Sequence, residues 1–177
     1  NLFPSNIQGL PTWFTIRASR HGYIGRKREL DVLVLMNPET AAQDALAAAP
    51  GTSVIYEQKL GVERLRDDLL LFPVPFAELA AKLPLPPDQA KLRRLLVNMV
   101  YVGVLSDLMG IDPVEIEAAL GKQLRGKAKA IGLNLAAMRL GADYAAEVFP
   151  EKLPHRVERM DATAGKLIID GNSASAL

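Results

Sequence analysis

The sequence predicts an α/β protein: a three-layer α/β/α arrangement around a mostly parallel sheet, followed by a helical C-terminal portion. Two observations predict it. Short apolar runs at residues 30–36 (LDVLVLM), 53–56 (SVIY) and 69–74 (LLLFPV) return at intervals of about 20 residues, with an alanine-rich run between the first two. That rhythm is the signature of βαβ units. Beyond residues 84–87 (PLPP) the strand signals stop, and apolar residues recur at three- and four-residue spacing up to Phe149, which is the period of amphipathic helices.

Each element can be read in order. Residues 12–19 (TWFTIRAS) alternate and predict a strand with one buried face. His21-Gly22 is a turn signal, after which Tyr23-Ile24 can return as a short hairpin arm. Residues 30–36 are apolar on both faces, as in a strand covered on both sides. Asn37-Pro38-Glu39 predicts a helix start: Asn37 can accept from first-turn amides, Pro38 fits the first position, and Glu39 complements the dipole. This helix ends at Pro50-Gly51, and Pro73 and Pro75 close the third strand of the series.

In the helical part, Asp88 is placed to cap a long helix with apolar Leu92, Leu95, Leu96, Met99 and Val102, ending at Gly110. Asp112-Pro113-Val114-Glu115 is a capping box opening another helix. A third runs over residues 127–149, with Ile131, Leu135, Met138, Leu140 and Tyr144 as its apolar positions. Residues 150–164 are polar and irregular and read as a linker. Residues 166–170 (KLIID) predict a strand, and Gly171-Asn172-Ser173-Ala174 the first turn of a new element.

Bulk properties exclude several function classes. The chain has 177 residues, 49% hydrophobic and 23% charged, with a net charge of +1, sufficient for one domain with its own core. Positive residues are scattered among acids, which argues against a nucleic-acid partner. No apolar run approaches the roughly 20 residues of a membrane span. Zero cysteines exclude disulfides and any iron–sulfur cluster ligated by this chain, and fit a cytoplasmic setting. Residues 1–19 carry no leader-peptide pattern.

No Walker loop, GxGxxG, HExxH or supported Ser-His-Asp set is present, so no catalytic residue is assigned. His21 and His155 read as exposed imidazoles in polar loops. Three features remain. Ser5, Asn6, Gln8 and Gly9 form a polar loop ahead of a strand, which reads either as a ligand-binding loop or as an ordinary turn. Asn98 lies between Val97 and Met99 in the apolar body of a helix. Its carboxamide needs a partner, so it anchors a neighbouring loop or reaches a ligand. Gly103, five residues on, permits close helix packing. The third feature is the Gly171-Asn172 turn.

Taken together, these pieces resemble the gamma domain of the 2-oxoacid:ferredoxin oxidoreductases. Phe3-Pro4-Ser5-Asn6-Ile7-Gln8-Gly9 stands at that family's serine loop, and Ile16-Arg17-Ala18-Ser19 at its R-x-S strand end. Residues 30–37 resemble its D-V-L-V-A-L-N strand. Asn98-Met99 with Gly103 matches N-M-x-x-x-G, and Asn134, Ala137 and Gly141 match N-x-x-A-x-x-x-G. Gly171-Asn172-Ser173-Ala174 resembles the opening of the alpha domain. The family's glycine-rich first loop is not in the sequence, and Gln8-Gly9-Leu10 replaces its Arg-Gly-Gly, so a charge-based role there does not carry over.

The resemblance implies a gamma domain over residues 1–149, a linker over 150–165, and the start of the thiamine-pyrimidine-binding alpha domain over 166–177. It thus implies a piece of a longer, fused polypeptide. It further implies part of a thiamine-diphosphate-dependent enzyme that decarboxylates a 2-oxoacid, 2-oxoglutarate by this fusion, onto coenzyme A and passes electrons to ferredoxin. Thiamine diphosphate, Mg and iron–sulfur clusters would sit in partner domains or a beta subunit of a hetero-oligomer. Ser5, Asn6, Gln8, Gly9 and Asn98 would face coenzyme A. A rival reading is an NAD(P)-dependent dehydrogenase with a Rossmann-like half and a helical dimerisation half. Another is a structural subunit that holds partner domains in place.

Overall fold

Three strands, β1 (Val32–Leu35), β2 (Ser53–Glu57) and β3 (Leu70–Val74), pair in parallel in the order β1-β2-β3. They belong to a computed structural model that describes residues 12–21, 25, 27–160, 164, 165, 169 and 175. The register aligns Leu33, Val54 and Leu71 in one row and Val34, Ile55 and Phe72 in the next. Successive Cβ atoms alternate across a strand, so these rows serve opposite faces. On one face Val54 and Tyr56 pack with Leu35, Val62, Leu69 and Ala41 and Ala45 of α1 (Ala41–Ala47). On the other, Ile55 and Val74 pack against α2 (Phe76–Ala81), α3 (Ala90–Met109) and α5 (Ala128–Val148). The predicted three layers and helical C-terminal portion are therefore present.

Covering on both faces explains the composition of the central strand. Val54, Ile55 and Tyr56 of β2 are all but inaccessible, whereas β1 and β3 at the edges are partly exposed. Pro73 falls on β3, where a missing N–H is tolerated because, among the described residues, the strand pairs on one side only. α4 (Pro113–Gln123) leans on α5 and buries no residue of its own. The helix stops follow their chemistry: Gly110 ends α3 in the left-handed region at φ +70°, and the Asp112 side chain accepts from the Val114 amide at the start of α4.

Several expectations are corrected. Residues 12–19 form no strand. Trp13, Phe14 and Ile16 are 63%, 76% and 81% exposed, because among the described residues no strand lies alongside to complete a ladder. α1 begins at Ala41 and not at Asn37, since the Asn37 carbonyl closes a turn onto the amides of Thr40 and Ala41. Its side chain still accepts an amide, that of Glu39 at 3.0 Å. Asp88 does not cap α3; residues 87–89 form a 3-10 turn, and the N-cap position belongs to Gln89. Leu95 is 58% exposed, and the buried stripe of α3 runs instead through Leu96, Val100, Gly103, Val104 and Leu108. α2 went unforeseen because it starts directly after the Pro73–Pro75 break. The arm at Tyr23-Ile24 and the turn at Gly171-Asn172-Ser173-Ala174 lie outside the described residues, as does most of the expected strand 166–170.

Residues 150–160 form no regular element but run along the end of α3. The amides of Leu153 and Val157 donate to the carbonyls of Leu108 and Met109, at 3.2 and 2.8 Å. These are carbonyls that a helix end leaves without intrahelical partners. Leu153 is buried, and Lys152 reaches Asp107 at 2.5 Å.

Candidate functional site

Because all three strands are parallel, their C-terminal ends lie on one edge of the sheet, where open α/β sheets place their ligands. A cleft of about 140 Å³ opens there, at the end of β1, lined by Thr12, Trp13, Val34, Leu35, Met36, Asn37, Thr40 and Asp44. Its strand side is Val34, Leu35 and Met36, at the end of β1. Its rim is polar, supplied by the turn that Asn37 shapes and by α1.

Trp13 closes one side. Its indole N–H donates to both carboxylate oxygens of Asp44, at 3.1 and 3.0 Å. The single tryptophan of the chain is thereby fixed in orientation while most of its ring stays open to solvent. Further along the same edge, Glu57 ends β2. One carboxylate oxygen accepts from the Ala77 amide at 3.2 Å, supplying the start of α2 with an acceptor that Pro75 lacks; the other is buried without a partner. Beside it, the Tyr56 hydroxyl donates to Glu63 at 2.9 Å. Burial, and then Glu63, push Tyr56 far above the ordinary phenol range. The Glu63 carboxyl is held below its ordinary value by its own backbone amide and by Tyr56. Tyr56 is thus held as a hydroxyl donor to Glu63.

The expected site residues are placed unequally. Ser5, Asn6, Gln8 and Gly9 lie outside the described residues; the chain they belong to enters the described part at Thr12, on the rim of the cleft. Asn98 is exposed on α3, so the argument from a buried carboxamide does not hold: water satisfies it. α3 packs on the face of the sheet opposite α1, so Asn98 and the Trp13–Asp44 pair stand on different layers. His21 and His155 are exposed, as expected, and His155 lies 3.7 Å from Asp31. Sequence reasoning missed Trp13, Asn37, Thr40 and Asp44 as cleft residues. The alternation of residues 12–19 assigns Trp13 to a half-buried strand, and Asp44 is hidden in an alanine-rich helix. The usable signal was a lone tryptophan just after a polar loop.

Comparison with known proteins bears on the family of the chain. A chain of the 2-oxoglutarate:ferredoxin oxidoreductase from Magnetococcus marinus, with 2-oxoglutarate, coenzyme A and succinyl-CoA bound, superposes with a TM-score of 0.63 at 25% sequence identity, over 81% of this chain. The matched region is 24% of that chain, so the present sequence spans about a quarter of its relative. A comparison with curated proteins gave no match. The family model for pyruvate ferredoxin/flavodoxin oxidoreductase matches residues 1–144, from the polar loop through most of α5. The resemblance carried by the motifs is borne out, and the nicotinamide-dependent alternative is set aside. The chain belongs to the pyruvate ferredoxin/flavodoxin oxidoreductase family.

Proposed function

We propose that this chain is the gamma domain of a 2-oxoacid:ferredoxin oxidoreductase, that the whole enzyme acts on 2-oxoglutarate together with coenzyme A, and that this domain, not catalytic by itself, helps to hold the coenzyme and pack the thiamine-binding domains. The observation that carries this reading is the likeness to an enzyme holding 2-oxoglutarate, coenzyme A and succinyl-CoA. Residues 1–149 would form the domain, 150–165 a connection, and 166–177 the start of the alpha domain.

Ser5, Asn6, Gln8 and Gly9 would orient coenzyme A by hydrogen bonds, with Asn98 a further contact. With Gln8 where an arginine would stand, the loop positions the ligand more than it attracts charge. Such positioning lowers the barrier by alignment, with no bond made by the loop. The residues present do not fit the other groups of such an enzyme. The chain has no cysteine to ligate a cluster, and among the described residues no group of His, Asp or Glu could hold a metal ion. In this reading thiamine diphosphate, Mg and iron–sulfur clusters would sit in the alpha domain and a beta subunit of a hetero-oligomer, with ferredoxin docking beyond this domain. No helix among the described residues is long and apolar enough to cross a membrane, and we place the enzyme in the cytoplasm.

The test is assembly of the full polypeptide with its partner subunits and measurement of ferredoxin or viologen reduction. Turnover should need both a 2-oxoacid and coenzyme A. Asn6→Ala and Gln8→Ala should raise the KM for coenzyme A. Turnover that ignores coenzyme A, or none with any 2-oxoacid, would sink the proposal.

A further inference from the structure

We infer that Trp13 is the stacking platform for the adenine ring of the coenzyme, with Asp44 reading the exocyclic amine. The inference rests on the coenzyme A reading above. It is carried by the geometry of the cleft at the end of β1. At about 140 Å³ the cleft falls below the roughly 300–1,000 Å³ of pockets that enclose a whole drug-sized ligand. It suits one planar ring system of a larger molecule.

Its chemistry selects which ring. The indole of Trp13 is 63% exposed yet held in place by two hydrogen bonds to Asp44, so a stacking face is presented with little conformational entropy left to lose. A carboxylate offers about four acceptor positions, and the single indole N–H leaves capacity for a second donor. That donor cannot be a phosphate or a carboxylate, both of which Asp44 repels; an amino group on an aromatic heterocycle fits. Of the residues at the end of β1 that line the cleft, Leu35 packs on the α1 side of the sheet, the side of Asp44. Of the parts of coenzyme A, only adenine combines a flat π-face with an exocyclic amine. The charged phosphates and the pantetheine arm would then lead away from Asp44.

The experiment uses the assembled enzyme and two probes, coenzyme A and its adenine-bearing end, adenosine 3′,5′-bisphosphate. The bisphosphate should inhibit the wild type competitively with coenzyme A. Trp13→Ala should raise both the KM for coenzyme A and the inhibition constant of the bisphosphate by a common factor of about fivefold to a hundredfold, with kcat nearly unchanged. Trp13→Phe, which keeps a stacking face but loses the bond to Asp44, should restore most of the affinity. The inference is overturned if the bisphosphate does not inhibit the wild type, if Trp13→Ala leaves both constants in place, or if Trp13→Phe is as impaired as Trp13→Ala. Any of those results with coenzyme-dependent turnover intact overturns the adenine assignment alone. An enzyme without such turnover overturns the proposed function, and this inference with it.

Discussion

Gly103 of α3 and Gly141 of α5 are reciprocal partners: each stands where the other helix's backbone comes closest. A Cβ on Gly103 would run into the Met138 carbonyl oxygen, with the carbonyl carbon 2.8 Å and the Ala142 amide nitrogen 2.9 Å away. A Cβ on Gly141 would run into the Val100 carbonyl oxygen, with its carbon at 2.9 Å and the Val104 nitrogen at 3.1 Å. The obstacles are backbone atoms, which no rotamer change removes. Gly103→Ala and Gly141→Ala must therefore push the helices apart, at about 1–3 kcal/mol each. The helix-propensity gain of alanine, about 1 kcal/mol, does not offset this. Gly132, on the same helix α5, has nothing within 4 Å, so Gly132→Ala should stabilise by roughly 0.5–1 kcal/mol. Denaturant unfolding of the three variants reads the contrast. The double variant should lose less than the sum, because one widening accommodates both methyl groups.

That pair also marks what the sequence disclosed and what it hid. The strands themselves were legible because short apolar runs such as 32–36 have few other uses, but which strand is covered on both faces was not: the run at 30–36 predicts it for β1, whereas β1 is a partly exposed edge of the sheet and β2 is the covered one. The start of α4 was legible because Asp112-Pro113 caps it by local chemistry alone. The α5 face was half legible: Leu135 and Met138 follow the period of large apolar residues, whereas Ala137, Gly141 and Ala145, which let α3 approach, look like spacers. Residues 12–19 show the limit of periodicity, since alternation states a preference and a strand needs a neighbour to pair with. Asn98 failed for a related reason. Being flanked by apolar residues along a helix does not place a side chain on the buried face, because adjacent positions point about 100° apart. The cleft was hidden because Trp13 and Asp44 are 31 positions apart and meet only through the turn after β1.

Asp112 makes a local contribution that should be measured locally. Its Oδ1 accepts from the Val114 amide at 2.9 Å, and loss of such a cap costs about 0.5–2 kcal/mol. Since α4 buries no residue, Asp112→Ala should fray that helix without unfolding the sheet. Amide exchange should accelerate across 114–117 and stay unchanged in β2. Equal acceleration in both would show that α4 is coupled to the core.

Arg66 ties the end of α1 to the loop before β3. Its guanidinium donates to the carbonyls of Ala45, Leu46 and Ala48, at 3.3, 3.2 and 2.6 Å, and binds both oxygens of Asp68 at 2.7 and 2.6 Å. The hydrogen bonds from Arg66 hold the Asp68 carboxyl below its ordinary value. A depressed folded-state pKa means that the pair stabilises the fold above the unfolded carboxyl pKa, about 4, and that this stabilisation fades as pH falls through the folded value. Arg66→Ala should lower the melting temperature at neutral pH. The gap to wild type should narrow below about pH 4, leaving the part due to the three carbonyls. A gap independent of pH would mean that the ion pair contributes nothing.

Leu153 tests whether residues 150–160 are a strap on α3 or only a passing chain. Its side chain is 3% exposed, while its neighbours on both sides are open to water, so one residue supplies most of the apolar attachment. Lys152 adds a bond to Asp107, both partly exposed, and Arg156 lies over Gly110, its Nη2 2.9 Å from where a Cβ would stand. Leu153→Ala removes the anchor. A fully buried leucine truncation costs about 2–5 kcal/mol, and the lower end is expected because the strap can lift off in place of leaving a cavity. Exchange of the Leu153 and Val157 amides should then approach that of an open chain, while the Val54 and Ile55 amides in β2 remain protected. If β2 exchanges faster by the same factor, the strap is part of the cooperative core, and its attachment to Leu108 and Met109 is a condition of folding.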